Sequence, residues 1–340
     1  MLVSDFDYEL PEELIAQAPP VERGASRMLV LSREKRSFHD DVFVNLSRYI
    51  RPGDCLVLND SRVFPARLRG RRNIESGAEV EVFLVRQRTE LENEWNALVR
   101  PSKRVRRGDR ILFGAGLTAE ILSEGEFGER TLRLEAQESI ADLIERLGRV
   151  PLPPYIHREP EVADRDRYQT VYATKNGSIA APTAGLHFTP EVLNACRACG
   201  AKIAYITLHV GLGTFAPLRV ADVSKIRLHE EFFAIDEENA ARLREAKRLV
   251  CVGTTSVRTV ETMQARGGFR AMLGETDLFV SPGYQFRAAG AILTNFHLPQ
   301  SSLLILVAAF AGREFALEAY RHAIRERYRF FSYGDCMLIE

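Results

Sequence analysis

Four histidines, His187, His209, His229 and His297, lie in the C-terminal half of a 340-residue chain. Each sits beside small or polar residues, in an expected loop or at an expected strand end. Imidazole is the side chain best suited to proton transfer near neutral pH. A lone histidine of this kind is more often structural, but four in one region favour one or two facing a polar site. Two segments nearby concentrate hydroxyls and small residues. Ala180 to Phe188 packs small residues around Thr183 and His187, and Val252 to Arg258 runs from a strand through Thr254, Thr255 and Ser256 into a helix. The second segment reads equally well in two ways. Thr255 or Ser256 is an N-cap that satisfies orphan N–H groups, or the helix N-terminus is a carboxylate or phosphate site.

Other signatures are absent or weak. The chain has no P-loop, no G-x-S-x-G nucleophile elbow and no H-E-x-x-H. Gly211-Leu212-Gly213-Thr214-Phe215-Ala216 formally fits a dinucleotide fingerprint, but Pro217 follows where a helix should open on the pyrophosphate. Cys196 and Cys199 form a lone C-x-x-C at a helix C-terminus. Zinc wants four ligands and a redox pair wants a helix N-terminus, so both thiols read as structural and no metal is expected.

The elements that must carry these residues follow from periodicity and punctuation. Thr189 to Ala198 is helical, with Thr189 as N-cap and Pro190 in the first turn. Asp236 to Lys247, Ser256 to Arg266, Ser301 to Phe310 and Glu314 to Arg327 are further helices. Strands are expected at Cys55–Asn59, Ile203–Val210, Leu249–Gly253, Leu278–Val280 and Ala291–Leu293. Their alternation points to a mixed α/β domain. From about Leu68 to Glu135 the texture changes to short strands broken by Gly: Glu79–Val85, Trp95–Val99, Arg110–Phe113, Leu117–Leu122 and Arg130–Leu134. That pattern is expected of a small antiparallel barrel or sandwich, and a barrel is taken. The expected organisation is an α/β catalytic domain over 1–67 and 148–340, with a β-barrel inserted at 68–147. A stiff Pro-rich stretch, Val150 to Tyr155, marks the return.

Lys+Arg and Asp+Glu both total 46, so net charge gives no sign of a nucleic-acid partner. Local clustering does. Arg100, Lys103, Arg104, Arg106, Arg107 and Arg110 fall within eleven residues, with Arg67, Arg69, Arg71 and Arg72 as a second group. Phosphate contacts by such residues supply much nucleic-acid affinity, so the clusters point to an RNA-binding surface, read at Arg100, Lys103, Arg104, Arg106 and Arg107. No secretory signal opens the chain, the longest apolar run (Leu303 to Ala311) is about half a ~20-residue membrane span, and the odd set of five cysteines suits reduced thiols. A cytoplasmic protein without a membrane partner is expected, and a monomer is the simplest state.

Several segments together resemble the S-adenosylmethionine:tRNA ribosyltransferase-isomerase family of queuosine biosynthesis. They are Asp7 to Pro11, Leu58 to Val63, Arg167 to Ala173, Ala181 to Thr189, His209 to Phe215, Val252 to Thr259, Thr294 to Ser301 and Tyr328 to Ile339. They run nearly end to end, in order. The resemblance implies an α/β domain carrying an inserted β-barrel. It implies transfer and isomerisation of the ribosyl group of S-adenosylmethionine, a co-substrate and not a resident cofactor. The acceptor is a 7-aminomethyl-7-deazaguanine at the wobble position (34) of tRNA, and the products are epoxyqueuosine, adenine and methionine. Departures are Ala216 where a basic or amide residue is common, Cys251 and Cys336 where small residues are usual, and Leu228 in place of Met.

Such chemistry needs a base to take an acidic C5′ proton beside the sulfonium, an acid for the departing adenine, and donors for ribose oxygens. On the resemblance, His229 with Glu231, or His187, supplies proton transfer. Asp60 joins them as a catalytic residue, positioning ribose or base with Arg62. Thr254, Thr255 and Arg258 hold the methionine carboxylate, and Thr183 and Thr214 contact substrate. Asn295, His297, Tyr333 and Asp335 complete the wall. The alternatives are an S-adenosylmethionine-dependent RNA methyltransferase, which wants a glycine-rich turn after its first strand, and a non-catalytic RNA-binding protein, which has no need for so many Thr, His and Gly loops.

Overall fold

The computed structural model describes residues 1–73, 77–88, 93–211, 218 and 220–340. The strands are β1 (Arg27–Ser32), β2 (Ser37–Val42), β3 (Asp54–Asn59), β4 (Ser61–Val63), β5 (Arg67–Arg72), β6 (Glu79–Gln87), β7 (Glu94–Arg100), β8 (Arg110–Gly114), β9 (Leu117–Glu124) and β10 (Glu129–Glu135). They continue with β11 (Lys175–Ser178), β12 (Lys202–Leu208), β13 (Glu231–Ile235), β14 (Arg248–Val252), β15 (Met272–Thr276), β16 (Ala289–Asn295) and β17 (Cys336–Ile339). The α-helices are α1 (Ile140–Leu147), α2 (Asp164–Arg167), α3 (Pro190–Ala198), α4 (Glu237–Arg244), α5 (Gly253–Ala265), α6 (Ser302–Ala311) and α7 (Arg313–Arg325).

Two compact units divide the chain: residues 1–62, 153–159 and 166–340 form one, and 63–152 with 160–165 the other. The first is built on a nine-stranded mixed sheet, in the order β15-β13-β12-β3-β14-β16-β17-β1-β2. Strands β12, β3, β14 and β16 run parallel to one another in that row, β13 is antiparallel to β12, and β17 is antiparallel to β16 but parallel to β1. Parallel strands covered on both faces read as continuous apolar runs, and every residue of β3 is buried. Cys55 and Val57 face one core with Val257 and Val260 of α5, whereas Leu56 and Leu58 face another with Phe43 and with Val192 of α3. This is the period-2 alternation of a strand expressed on two buried faces.

The second unit contains a closed barrel of six antiparallel strands, β10-β7-β6-β5-β8-β9. Val80, Val82 and Leu84 point to its core, and the residues between them are half-buried or exposed. The mixed α/β fold with a small antiparallel barrel is thus as expected. The N-caps at Thr189 and Asp236 are present, each accepting from a backbone N–H three residues on.

Three local readings are corrected. Strand β5, Arg-Leu-Arg-Gly-Arg-Arg, is a barrel strand and not only a basic cluster. Its arginines stand opposite Glu81 and Glu79 of β6 and Asp109, within ion-pair distance, and Arg110 pairs with Glu135. Leu278 to Val280 is not a strand, and the strand of that region is β15, which ends two residues before it. Helix α5 begins at Gly253, not Ser256, with Val252 as its N-cap and no side-chain cap. Gly253 has φ +84°, which lets β14 turn straight into the helix, so Thr255 and Ser256 are inside its first turn. Ser256 Oγ donates back to the Val252 carbonyl. No helix among the described residues is long and apolar enough to cross a membrane.

Candidate active site

In an open α/β sheet, ligands gather at the carboxyl ends of the parallel strands. At that edge β3 delivers Asp60, β12 delivers His209, β14 leads into Thr254 and Thr255, and β16 ends on Asn295 with His297 just beyond. Strands β1, β13 and β17 run the other way, so Ser26, Glu231 and Asp335 reach the same edge from their N-terminal ends. The topology therefore collects residues scattered over 300 positions. A larger open depression, about 560 Å³, lies at the opposite edge near Arg244, Lys247, Arg248 and Arg287. There Arg248 is committed to Asp54 and Glu340 and Arg244 to Glu237.

The histidines have different surroundings. His187 is buried on the one-turn helix Thr183–His187. Its Nε2 lies 3.2 Å from Asn295 Oδ1 and its Nδ1 2.9 Å from Ser26 Oγ. Asn295 donates its Nδ2 to the Phe331 carbonyl at 2.8 Å, which leaves Oδ1 as an acceptor. His187 is then protonated at Nε2 and accepts from Ser26 at Nδ1. Burial pushes its pKa down to about 4, so the ring is neutral with both nitrogens engaged. His297 is buried too, 2.7 Å from Thr294 Oγ1, and burial lowers it to about 3. His229 is exposed, in the turn before β13.

His209 is the exception. Its ring stacks on Phe232, centroids 5.6 Å apart, and rests against Gly177, where a Cβ would come within 2.7 Å of it. Its Nδ1 is buried and has no hydrogen-bond partner. Burial lowers its pKa, opposed by the nearby negative charge of Asp60. Asp60 accepts from Thr207 Oγ1 at 2.6 Å and Thr174 Oγ1 at 3.1 Å, and its backbone is tied to Ile206 and Thr174. The carboxylate is fixed at the strand end by neighbours on two elements.

Glu231 and Arg258 are both buried and face each other as an ion pair. Arg258 also donates to the carbonyls of Leu278 (3.0 Å) and Thr276 (3.2 Å), and Glu231 accepts from the Gly211 N–H at 2.9 Å. The pair joins β13, α5, the segment after β15 and the start of the Gly211 loop. Thr254 is buried in the first turn of α5. The Thr255 hydroxyl is buried without a partner, as are those of Thr170 and Tyr172. Tyr172 lies over Gly185 so closely that a Cβ there would meet its hydroxyl at 2.3 Å. Unsatisfied buried hydroxyls are costly, so these three groups have hydrogen-bonding capacity that the protein itself does not use.

Asp335 is buried at the foot of β17, accepting from the Arg27 and Arg329 N–H groups. Burial raises its pKa against those bonds. Tyr333 packs edge-on against Tyr168. Thr183 and Arg62 are half-buried, on the one-turn helix and on β4. Thr214 lies outside the described residues. Cys196 is buried and burial pushes its thiol up to about 12, in keeping with a structural cysteine. Among the described residues no group of three or more His, Cys, Asp or Glu is placed to hold a metal ion. Sequence named His209 only among the four histidines and gave it no role, and it did not single out Tyr172 or Arg23. The signal for Tyr172 was its place inside the segment Arg167–Ala173, whereas Arg23 carries none.

In the barrel, Arg100, Lys103, Arg104, Arg106 and Arg107 are all exposed, near the end of β7 and the turn after it. None has a carboxylate within ion-pair distance among the described residues. That separates them from the β5 arginines.

Comparison with known proteins agrees with this architecture over its whole length. The model of the queuosine biosynthesis protein family matches residues 3–339. An S-adenosylmethionine:tRNA ribosyltransferase-isomerase of Solibacter usitatus is 55% identical over 355 aligned residues, covering 100% of both chains. One of Syntrophotalea carbinolica is 50% identical over 344, again 100% of both. The crystal structure of an S-adenosylmethionine tRNA ribosyltransferase from Thermotoga maritima is 40% identical, with a TM-score of 0.58 over 99% of this chain and 100% of that one. Given this end-to-end similarity in sequence and fold, the chain belongs to the queuosine biosynthesis protein family.

Proposed function

We propose that this protein transfers and isomerises the ribosyl group of S-adenosylmethionine onto the 7-aminomethyl-7-deazaguanine at position 34 of tRNA. The products are epoxyqueuosine in the tRNA, adenine and methionine. The observation that carries the reading is the 55% identity, over the full length of both chains, to a relative bearing that activity's name.

The polar edge of the sheet supports it. In this reading His209 takes the C5′ proton: it combines a neutral ring, a nitrogen with no partner and a carboxylate close by. Asp60 positions ribose or base beside it, with Arg62. The hydroxyls of Thr254, Thr255 and Tyr172 serve the donor, Thr183 flanks it, and Thr214 keeps the substrate-contact role that the resemblance implies. His187, Asn295, His297, Tyr333 and Asp335 form the rear wall, and Glu231 with Arg258 braces the site. His229, exposed two residues before Glu231, is with Glu231 the second candidate for proton transfer. The barrel residues Arg100, Lys103, Arg104, Arg106 and Arg107 contact tRNA phosphates, making the segment 68–147 a tRNA-contacting domain inserted in a catalytic domain of 1–67 and 148–340. The protein works as a cytoplasmic monomer.

The test is incubation of the purified protein with S-adenosylmethionine and tRNA bearing the aminomethyl base. Adenine and methionine are expected with an epoxide-bearing cyclopentyl mass gain on the nucleoside. S-adenosylhomocysteine with a methylated nucleoside, or an unchanged nucleoside from folded protein, overturns the reading.

A further inference from the structure

Apart from Tyr172, the segment Arg167 to Ala173 has no part in the proposed reaction. Its first residue and Arg23 hold one another in place. Arg23 donates to the carbonyls of Asp166 (3.0 Å), Gln169 (2.9 Å) and Leu186 (3.0 Å). Arg167 donates to those of Pro20 (2.5 Å) and Val21 (3.1 Å). Each guanidinium is thus gripped by the backbone that carries the other. Gly24, at φ +91°, turns the chain directly after Arg23, which sets both Arg23 and Ser26 on one narrow cleft with Arg167, His187 and Tyr333.

The two cations have no carboxylate within 4.0 Å among the described residues. The carboxylate of Asp166, on an exposed residue, gives Arg23 only a weak attraction, while burial and the charge of Arg167 both disfavour its protonated form. A brace alone needs hydrogen-bond donors, which a neutral amide supplies. Holding two like charges together beside a partly buried cleft costs free energy unless an anion joins them. Two planar guanidinium forks suit a carboxylate or a phosphate group. Arg258, the other arginine at this edge expected to hold a carboxylate, is occupied by Glu231.

We infer that Arg23 and Arg167 form a binding site for one anionic group, next to His187 at the edge of the proposed active site. The inference rests on the function proposed above for its two sources, the methionyl carboxylate of S-adenosylmethionine and a backbone phosphate of the tRNA.

Steady-state kinetics of the wild type, Arg23→Gln, Arg167→Gln and Arg167→Lys distinguish them, with decarboxylated S-adenosylmethionine as a second donor. Removing a charge-assisted pair of bonds to substrate raises KM by about 10- to 100-fold, with kcat within a few-fold. If the carboxylate is held, the rise is in KM for S-adenosylmethionine, and the variants lose the wild type's preference over the decarboxylated donor. If a phosphate is held, KM for tRNA rises instead and donor discrimination is kept. In both cases Arg167→Lys recovers part of the loss. Unchanged KM for both substrates in folded variants overturns the site. Should Arg167→Gln fail to fold, Arg167→Lys is decisive alone: an intermediate rise in one KM supports the site and none overturns it. Wild-type turnover is the control. Without it the catalytic reading falls, and the anion site then stands or falls on whether the wild type binds inorganic phosphate and Arg167→Gln does not.

Discussion

Glu231, the first residue of β13, and Arg258, in the second turn of α5, form an ion pair that is buried on both sides. Arg258 bridges onward to two backbone carbonyls and Glu231 to one N–H, so the pair ties four segments at the sheet edge. Removing one partner strands a buried charge. Arg258→Met is expected to lower stability by about 3–5 kcal/mol, measured as the shift in denaturant midpoint. Adding Glu231→Leu to Arg258→Met should recover more than half of that. A loss in the single variant below about 1 kcal/mol contradicts a buried brace.

His209 makes no side-chain hydrogen bond at its buried Nδ1, so His209→Gln should fold with a near-normal melting temperature. Its turnover is expected to fall about 10²- to 10⁴-fold, the span of a lost general base, with KM for S-adenosylmethionine little changed. Because burial lowers the histidine's pKa, the wild-type acid limb should lie below pH 6.5 and be missing from the variant's residual rate. Wild-type-like kcat in His209→Gln removes it from the chemistry.

Thr255 and Tyr172 have hydroxyls buried without partners. Replacing an unsatisfied hydroxyl by an apolar group is neutral or stabilising in the free protein. Thr255→Val and Tyr172→Phe should therefore melt at or above the wild-type temperature, yet bind S-adenosylmethionine about 5- to 10-fold more weakly. Calorimetry with the donor alone checks both signs. A lower melting temperature with unchanged donor affinity would identify these hydroxyls as structural.

His187 and His297 are held neutral by burial, at about 4 and about 3, against about 6.5 in the unfolded chain. The unfolded state binds more protons below pH 6.5, so the stability linked to each is complete above that pH. It is lost as pH falls from 6.5 towards the folded values, at up to about 1.4 kcal/mol per pH unit each. Urea midpoints measured from pH 7 to pH 5 should fall steadily, and His297→Asn should flatten the slope. An identical slope in the variant excludes His297 as a source.

The exposed cations near the end of β7 predict a salt effect. Charge removal at Arg104, Arg106 and Arg107 together should weaken tRNA binding. It should also reduce the slope of log K against log salt by about 0.7–0.9 for each phosphate that is no longer neutralised. Reversal of the paired arginines Arg69 and Arg71 should change that slope much less, since Glu81 and Glu79 already partner them. Equal effects of both sets would remove the distinction drawn from their surroundings.

Local pattern carried much of this fold. The barrel strands β6 to β10 are legible because one face of each is buried, so apolar residues recur with period two. The helix starts at Thr189 and Asp236 are legible because capping is chemistry between residues three apart. Strand β5 was hidden by arginines on its outer face, whose partners lie on another strand. Leu278 to Val280 has the composition of a strand but gives a carbonyl to Arg258 in place of a sheet neighbour. The start of α5 was hidden because the left-handed Gly253 does the work of a polar cap.

For the site, residue types and order were sufficient to show the family and to mark Asp60, His187, Glu231 and the hydroxyls after β14. The sequence by itself determined which polar residues the chain carries and which local elements present them. Only the tertiary structure decided their partners. It bonds both nitrogens of His187, spends Arg258 on Glu231, leaves Nδ1 of His209 without a partner and sets Arg23 beside Arg167. Burial and pairing set what a titratable group can do, and both arise from contacts between segments up to 308 positions apart, which no local spacing encodes.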